Sequence, residues 1–135
     1  LASGEMVISV RVPRQSTSGR SHFVKLGARR YLVISIAMAA ARISVDPGGR
    51  VGKAAVAVGA CSAVATRLPT LEAALEGQRS GPDLAGIIET YGFEELSPID
   101  DVRGTTEYRR SAAREIVARA VLGTLQIGTR SGVAA

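Results

Sequence analysis

Near the start of the chain Met6, Ile8, Val10 and Val12 alternate with Val7, Ser9 and Arg11, a period of two that predicts a half-buried strand over residues 6–12, ended by Pro13. The Ser- and Gly-rich stretch 14–20 predicts a loop. Ser21-His22-Phe23-Val24-Lys25-Leu26 predicts a second strand, with His22, Val24 and Leu26 on one face and Phe23 and Lys25 on the other. Residues 31–45 combine helix-favouring Ala and Met with strand-favouring Val33, Ile34, Ile36, Ile43 and Val45, and helical spacing also accommodates them. The turn chemistry of Asp46-Pro47-Gly48-Gly49, followed by an alternating pattern over 51–59, decides for two long strands joined as a hairpin.

Beyond Cys61 the period changes. Pro69 or Thr70 opens a helix over Leu71-Glu72-Ala73-Ala74-Leu75, stopped by Gly77, and Asp83 to Glu89 forms a second, weaker one. The last helix, 105–122, has a threonine cap, Glu107 in its first turn, and Tyr108, Ala112, Ile116 and Ala120 along one stripe, widened by Ala113, Val117 and Val121. Strands first and helices afterwards predict an α+β sandwich: a mostly antiparallel sheet of about four strands with three helices packed on one face. Residues 1–125 read as one domain and 126–135 as a flexible tail, and no internal repeat is present.

With 135 residues the chain is long enough to bury one core without staples. Aromatics are only 4% against 46% hydrophobic residues overall, so that core must be built from Ala, Val, Ile and Leu. The formal charge of +5 permits acidic partners, but no basic run is interleaved with stacking aromatics, which argues against nucleic acid. Cys61 and His22 are each the sole residue of their kind, which excludes an internal disulfide, a Cys/His zinc set and a locally supported Ser-His-Asp arrangement. A lone cysteine fits a reducing, cytoplasmic compartment. The longest apolar stretch, 31–41, is too short to span a bilayer, and the first residues lack the order of a signal peptide.

Little of the remaining sequence carries chemistry by itself. Gly48-Gly49-Arg50-Val51-Gly52 lacks the spacing and setting of a phosphate loop and reads as a hairpin turn. Asp100 and Asp101 are adjacent, so they diverge on any regular element. They read as an ionic staple to Arg103, Arg109 or Arg110 rather than as paired catalytic carboxylates. Lys25, Arg29 and Arg30 bracket a Gly-containing turn, where a phosphate, a reduced flavin or an acidic partner would suit the converging charge. A solvated basic turn is the alternative.

Two strings are more specific in combination: Lys25-Leu26-Gly27-Ala28-Arg29-Arg30, and Ser97-Pro98-Ile99-Asp100-Asp101-Val102-Arg103-Gly104-Thr105-Thr106-Glu107-Tyr108-Arg109-Arg110. With the opening Gly4-Glu5-Met6-Val7-Ile8-Ser9-Val10-Arg11-Val12-Pro13, with Val58-Gly59-Ala60 before Thr66-Arg67, and with Glu72-Ala73-Ala74-Leu75-Glu76-Gly77, the ordered set resembles the C-terminal domain of the FAD-binding (medium) subunit of molybdenum hydroxylases, the carbon monoxide dehydrogenase and xanthine dehydrogenase family. The resemblance implies four strands followed by three helices. It also implies an oxidoreductase role in which electrons pass from molybdopterin through iron-sulfur clusters to FAD and on to an acceptor. This domain would cover the flavin without being catalytic alone. The upstream FAD-binding domain would hold most of the FAD, and molybdopterin and the iron-sulfur clusters would reside in large and small partner subunits.

By position the resemblance implies that Val7 makes an apolar flavin contact and Lys25 a cationic one, with Gly27, Ala28, Arg29 and Arg30 forming the loop beside the flavin. Tyr31-Leu32-Val33 stand where the xanthine dehydrogenase branch carries acidic residues, a departure that weighs against NAD as acceptor. A stand-alone interaction or assembly module without flavin is the competing reading.

Overall fold

The computed structural model describes residues 1–30 and 33–125. A short 3-10 turn, Arg14–Thr17, leads into four strands: β1 (Arg20–Leu26), β2 (Ala37–Val45), β3 (Val51–Gly59) and β4 (Thr66–Arg67). Helices α1 (Pro69–Leu75), α2 (Leu84–Glu89) and α3 (Thr106–Leu125) follow. The sheet is antiparallel throughout, in the order β1-β2-β3-β4. This is the α+β architecture expected from strands that precede helices.

The β2–β3 hairpin closes as its turn sequence demands. Gly49 takes φ +77°, its amide donates to the Asp46 carbonyl at 3.0 Å, and the Arg50 amide donates to Asp46 Oδ1 at 2.9 Å. Alternation then buries Ala37, Ala39, Ala41 and Ile43 of β2 and Val51, Ala54, Val56 and Val58 of β3 beneath α3, which presents Ala113, Val117, Ala120 and Val121. Alanines on both layers let helix and sheet approach closely, which compensates for the scarcity of aromatic bulk. The larger core pieces, Leu68, Leu71, Leu75, Leu84, Ile88 and Phe93, come from the segment between the sheet and α3.

Only two residues of β4 pair with β3, so most of that edge needs other partners. Helix α1 supplies them: Glu72 Oε1 accepts the Val56 amide at 2.8 Å and Glu76 Oε1 the Ala54 amide at 3.1 Å. Beyond them the Val51 amide donates to the Gln78 carbonyl at 2.9 Å. Glu72 on α1 and Glu76, the residue that ends it, thus cap two alternate amides of this edge, those of Val56 and Ala54.

Four expectations need correction. Residues 6–12 form no strand, and Met6, Val7, Ile8, Val10 and Val12 are exposed. Alternation reports the capacity to pair and does not supply a partner: the outer edge of β1 is open among the described residues, yet residues 6–12 do not pair with it. The long strand expected over 31–45 begins only at Ala37, because the carbonyls of Val33 and Ile36 are taken by side chains, as described below. Tyr31 and Leu32 lie outside the described residues. Helix α3 runs through Gly123 to Leu125, since that glycine makes room for a neighbour: a Cβ there would meet the His22 ring at 2.4 Å. Tyr108, expected on the buried stripe, is 48% exposed and stands against Gly104. The proposed tail, 126–135, lies outside the described residues.

Candidate functional site

The connection from β1 to β2 is the one segment in which the sequence concentrates cations around a glycine. Lys25 occupies the penultimate position of β1, and Gly27, Ala28, Arg29 and Arg30 make the turn that follows. Ile36 closes the loop base by donating its amide to the Leu26 carbonyl at 2.9 Å. The Lys25 Nζ donates to the Val33 carbonyl at 2.9 Å and so ties the outgoing strand to the returning limb. Gly27 lets the limbs come together, as a Cβ there would meet Val33 Cγ1 at 2.6 Å. Lys25, Ala28, Arg29 and Arg30 are exposed, so one proton of the Lys25 ammonium is committed to the loop while the group still faces solvent. The structure thereby brings Lys25 and residues 27–30 into one turn. Val7 belongs to no strand or helix and is 63% exposed.

Beneath the loop lies an ionic cluster whose extent the sequence does not show. Arg109, 3% exposed, donates from Nη1 to the carbonyls of Ile36 at 2.7 Å and Ala60 at 3.0 Å, and from Nη2 to Asp101 Oδ1 at 2.7 Å. Asp101 also accepts from Arg103, through its amide and its guanidinium, both at 2.8 Å. The Arg103 amide, with Arg109 beside it, holds the Asp101 carboxyl down at about 2. Asp100 accepts the Thr106 amide, and Thr105 Oγ1 accepts the Tyr108 amide at 3.2 Å, so both cap the start of α3. Asp101 therefore forms the expected staple, with Arg109 and Arg103 as partners, while Asp100 caps the helix. The Cys61 thiol sits against the Ile36 and Arg109 carbonyls, and burial pushes its pKa up despite the Arg109 charge, which makes it an unreactive core group.

A cavity of about 590 Å³ opens between this cluster and the loop, lined by Ile34, Ser35, Ala60, Ser62, Ser97 and Arg103 among others. A second strong pair lies at the opposite side of the sheet, where Arg67 makes a two-pronged bridge to Glu72 at 2.6 and 2.7 Å. Burial raises the Glu72 carboxyl, but the Arg67 bonds and the Val56 amide outweigh it and hold the group below the usual carboxylate range. No group of three or more His, Cys, Asp or Glu side chains able to hold a metal occurs among the described residues. No helix among them is long and apolar enough to cross a membrane. The alternation that should have exposed Arg109's role is masked, because an arginine in a helix rich in charged residues reads as a solvent-facing one.

The geometry has recognisable relatives. The CO dehydrogenase flavoprotein C-terminal domain family matches residues 22–124. The medium subunit of nicotine 6-hydroxylase from Paenarthrobacter nicotinovorans is 29% identical over 123 residues, which cover 90% of this chain and 42% of that protein. Among solved structures, quinoline 2-oxidoreductase from Pseudomonas putida 86 superposes with a TM-score of 0.71 at 28% identity, covering 79% of this chain and 37% of that one. Carbon monoxide dehydrogenase from Hydrogenophaga pseudoflava superposes at 0.64 with 24% identity, covering 78% of this chain and 36% of that one, a likeness of fold. This chain thus spans well under half the length of the relatives it matches.

Proposed function

This chain belongs to the CO dehydrogenase flavoprotein C-terminal domain family, and from that premise we propose that it is the C-terminal domain of the FAD-binding subunit of a molybdopterin-dependent hydroxylase or dehydrogenase. The observation that carries the reading is the family match over residues 22–124, a span that takes in the sheet from His22 onward, the loop after β1, α1 and α2, and α3 as far as Thr124. FAD, when bound, accepts electrons from iron-sulfur clusters and passes them to an acceptor. The residues present fit a covering contact: one lysine and a tight turn at a strand end, with no Gly-rich loop between a strand and a helix among the described residues to cradle phosphates. The rest of the subunit would hold the cofactor, and large and small partner subunits the molybdopterin and iron-sulfur centres.

In this reading Lys25 places an ammonium where negative charge develops on the reduced ring, and the loop 27–30 sets how closely an acceptor approaches. The clamp from Lys25 to Val33 fixes that ammonium before the cofactor arrives, so little reorganisation is needed. Val7 would add an apolar contact to the flavin. The soluble, cytoplasmic setting of such an enzyme is part of the same proposal.

The test is the intact subunit. Its visible spectrum should show bound flavin, and Lys25→Ala should lower the flavin midpoint potential or weaken FAD binding by roughly tenfold, the worth of one charged contact. A colourless intact protein would remove the reading, and an unchanged redox titration would remove Lys25 from it.

A further inference from the structure

Among the described residues no helix covers the second face of the sheet. Cross-strand rows run across it: Phe23, Ala40, Ala57 and Arg67 in one, Ser21, Arg42 and Ala55 in the next. They enclose a groove of about 490 Å³ with an alanine floor, and the Phe23 ring stands beside it 58% exposed. The strand residues on this face include no Asp or Glu and carry Lys25, Arg42, Lys53 and Arg67, the last already bridged to Glu72 of α1, whereas Arg20 lies on the helix side beside Leu122 and Leu125. An apolar centre of low relief surrounded by cations has the composition of an interface, with a small-residue floor that admits close approach and a charged rim that sets orientation.

We propose that this face seats a carboxylate-rimmed, apolar-centred surface on the flavin-holding part of the same subunit. The proposal rests on the reading of the chain as one domain of that subunit, and it adds which face does the docking and what chemistry opposes it. Charge selects the occupant. A second copy placed face to face would set cations against cations, and Phe23 alone gives no ladder for stacking bases. Length agrees, since the relatives carry more than half of their chain outside the part matched here. The opposite face of the sheet is already covered by α1 and α3, so this is the sheet surface left for the remainder to meet.

Thiol labelling tests it. Ala40→Cys and Ala57→Cys put single reporters on the groove floor, and the native Cys61 is 0% exposed, so background labelling is low. Both reporters should react rapidly with a maleimide in the 135-residue chain and at least about tenfold more slowly in the intact subunit, as buried interface positions do. Combining either with Arg42→Glu and Lys53→Glu should restore most of the fast rate. Equal rates in the chain and the intact subunit would overturn the docking face. Protection that survives charge reversal, or that appears only with duplex DNA, would overturn its acidic partner. The flavin spectrum of the same intact samples separates the two ideas: fast labelling with flavin bound removes only the docking face, and slow labelling without flavin removes only the flavoprotein reading.

Discussion

Arg109 shows how one side chain can hold three parts of a fold together. Its guanidinium bonds the start of β2, the backbone after β3 and the turn before α3 at once, from a nearly water-free position. Replacing it by Met strands Asp101 with Arg103 alone and leaves the Ile36 and Ala60 carbonyls without their charged donor. A loss of about 3 kcal/mol in urea unfolding is expected, as for other broken buried pairs. Asp101 gives the same cluster a pH signature. Its folded pKa is about 2, below the ordinary aspartate value, so its contribution is present above about pH 4 and is lost as pH falls through about 2. Asp101→Asn should therefore lower stability at neutral pH and flatten the acid limb between those values, and an unchanged acid limb would show that the carboxylate is not the group titrating. Lys25 could be set beside the turn from sequence because turn and strand are neighbours along the chain, although its bond to the Val33 carbonyl was not foreseen. Arg109's partners lie 73 and 49 residues away, at Ile36 and Ala60, and nothing in its local pattern announces them.

At the scale of elements, the β2–β3 turn and the entry to β1 rely on glycine for different reasons. Gly49 needs only its left-handed backbone, with open space where a Cβ would go, so Gly49→Ala should cost about 1 kcal/mol. Gly19 has φ +95° and would also drive a Cβ to 2.4 Å from the Ile43 carbonyl oxygen, a backbone atom that cannot swing aside. Gly19→Ala should cost clearly more, about 3 kcal/mol, and parity between the two in denaturant titration would contradict the close approach. The hairpin and all three helices were legible because turn residues, a proline at the first turn and helical spacing are local signals. The two-residue β4 was not, since no periodicity exists over so short a span. The strand expected over 6–12 and the early start expected for β2 failed for a common reason: extended-chain propensity says nothing about which partner takes the backbone hydrogen bonds.

For the whole molecule, residues 1–13 contribute no strand, no helix and no core residue, and the family match begins at residue 22. Removing them should leave the stability of the remaining chain within about 0.5 kcal/mol, as for other surface changes. A larger loss in thermal unfolding would mean that the segment is seated on this domain after all. The fold class was readable because the order of elements determines the layers, whereas the cationic sheet face emerges only when register sets residues from different strands side by side. The same register fixes how the molecule meets its own kind. One edge of the sheet is sealed by Glu72, Glu76 and the chain around Gln78, while β1 pairs only inward among the described residues. Strand addition at β1 can therefore join two copies but gives neither a second growing end, so the sealed edge acts as a chain terminator that stops cross-β polymerisation at the dimer.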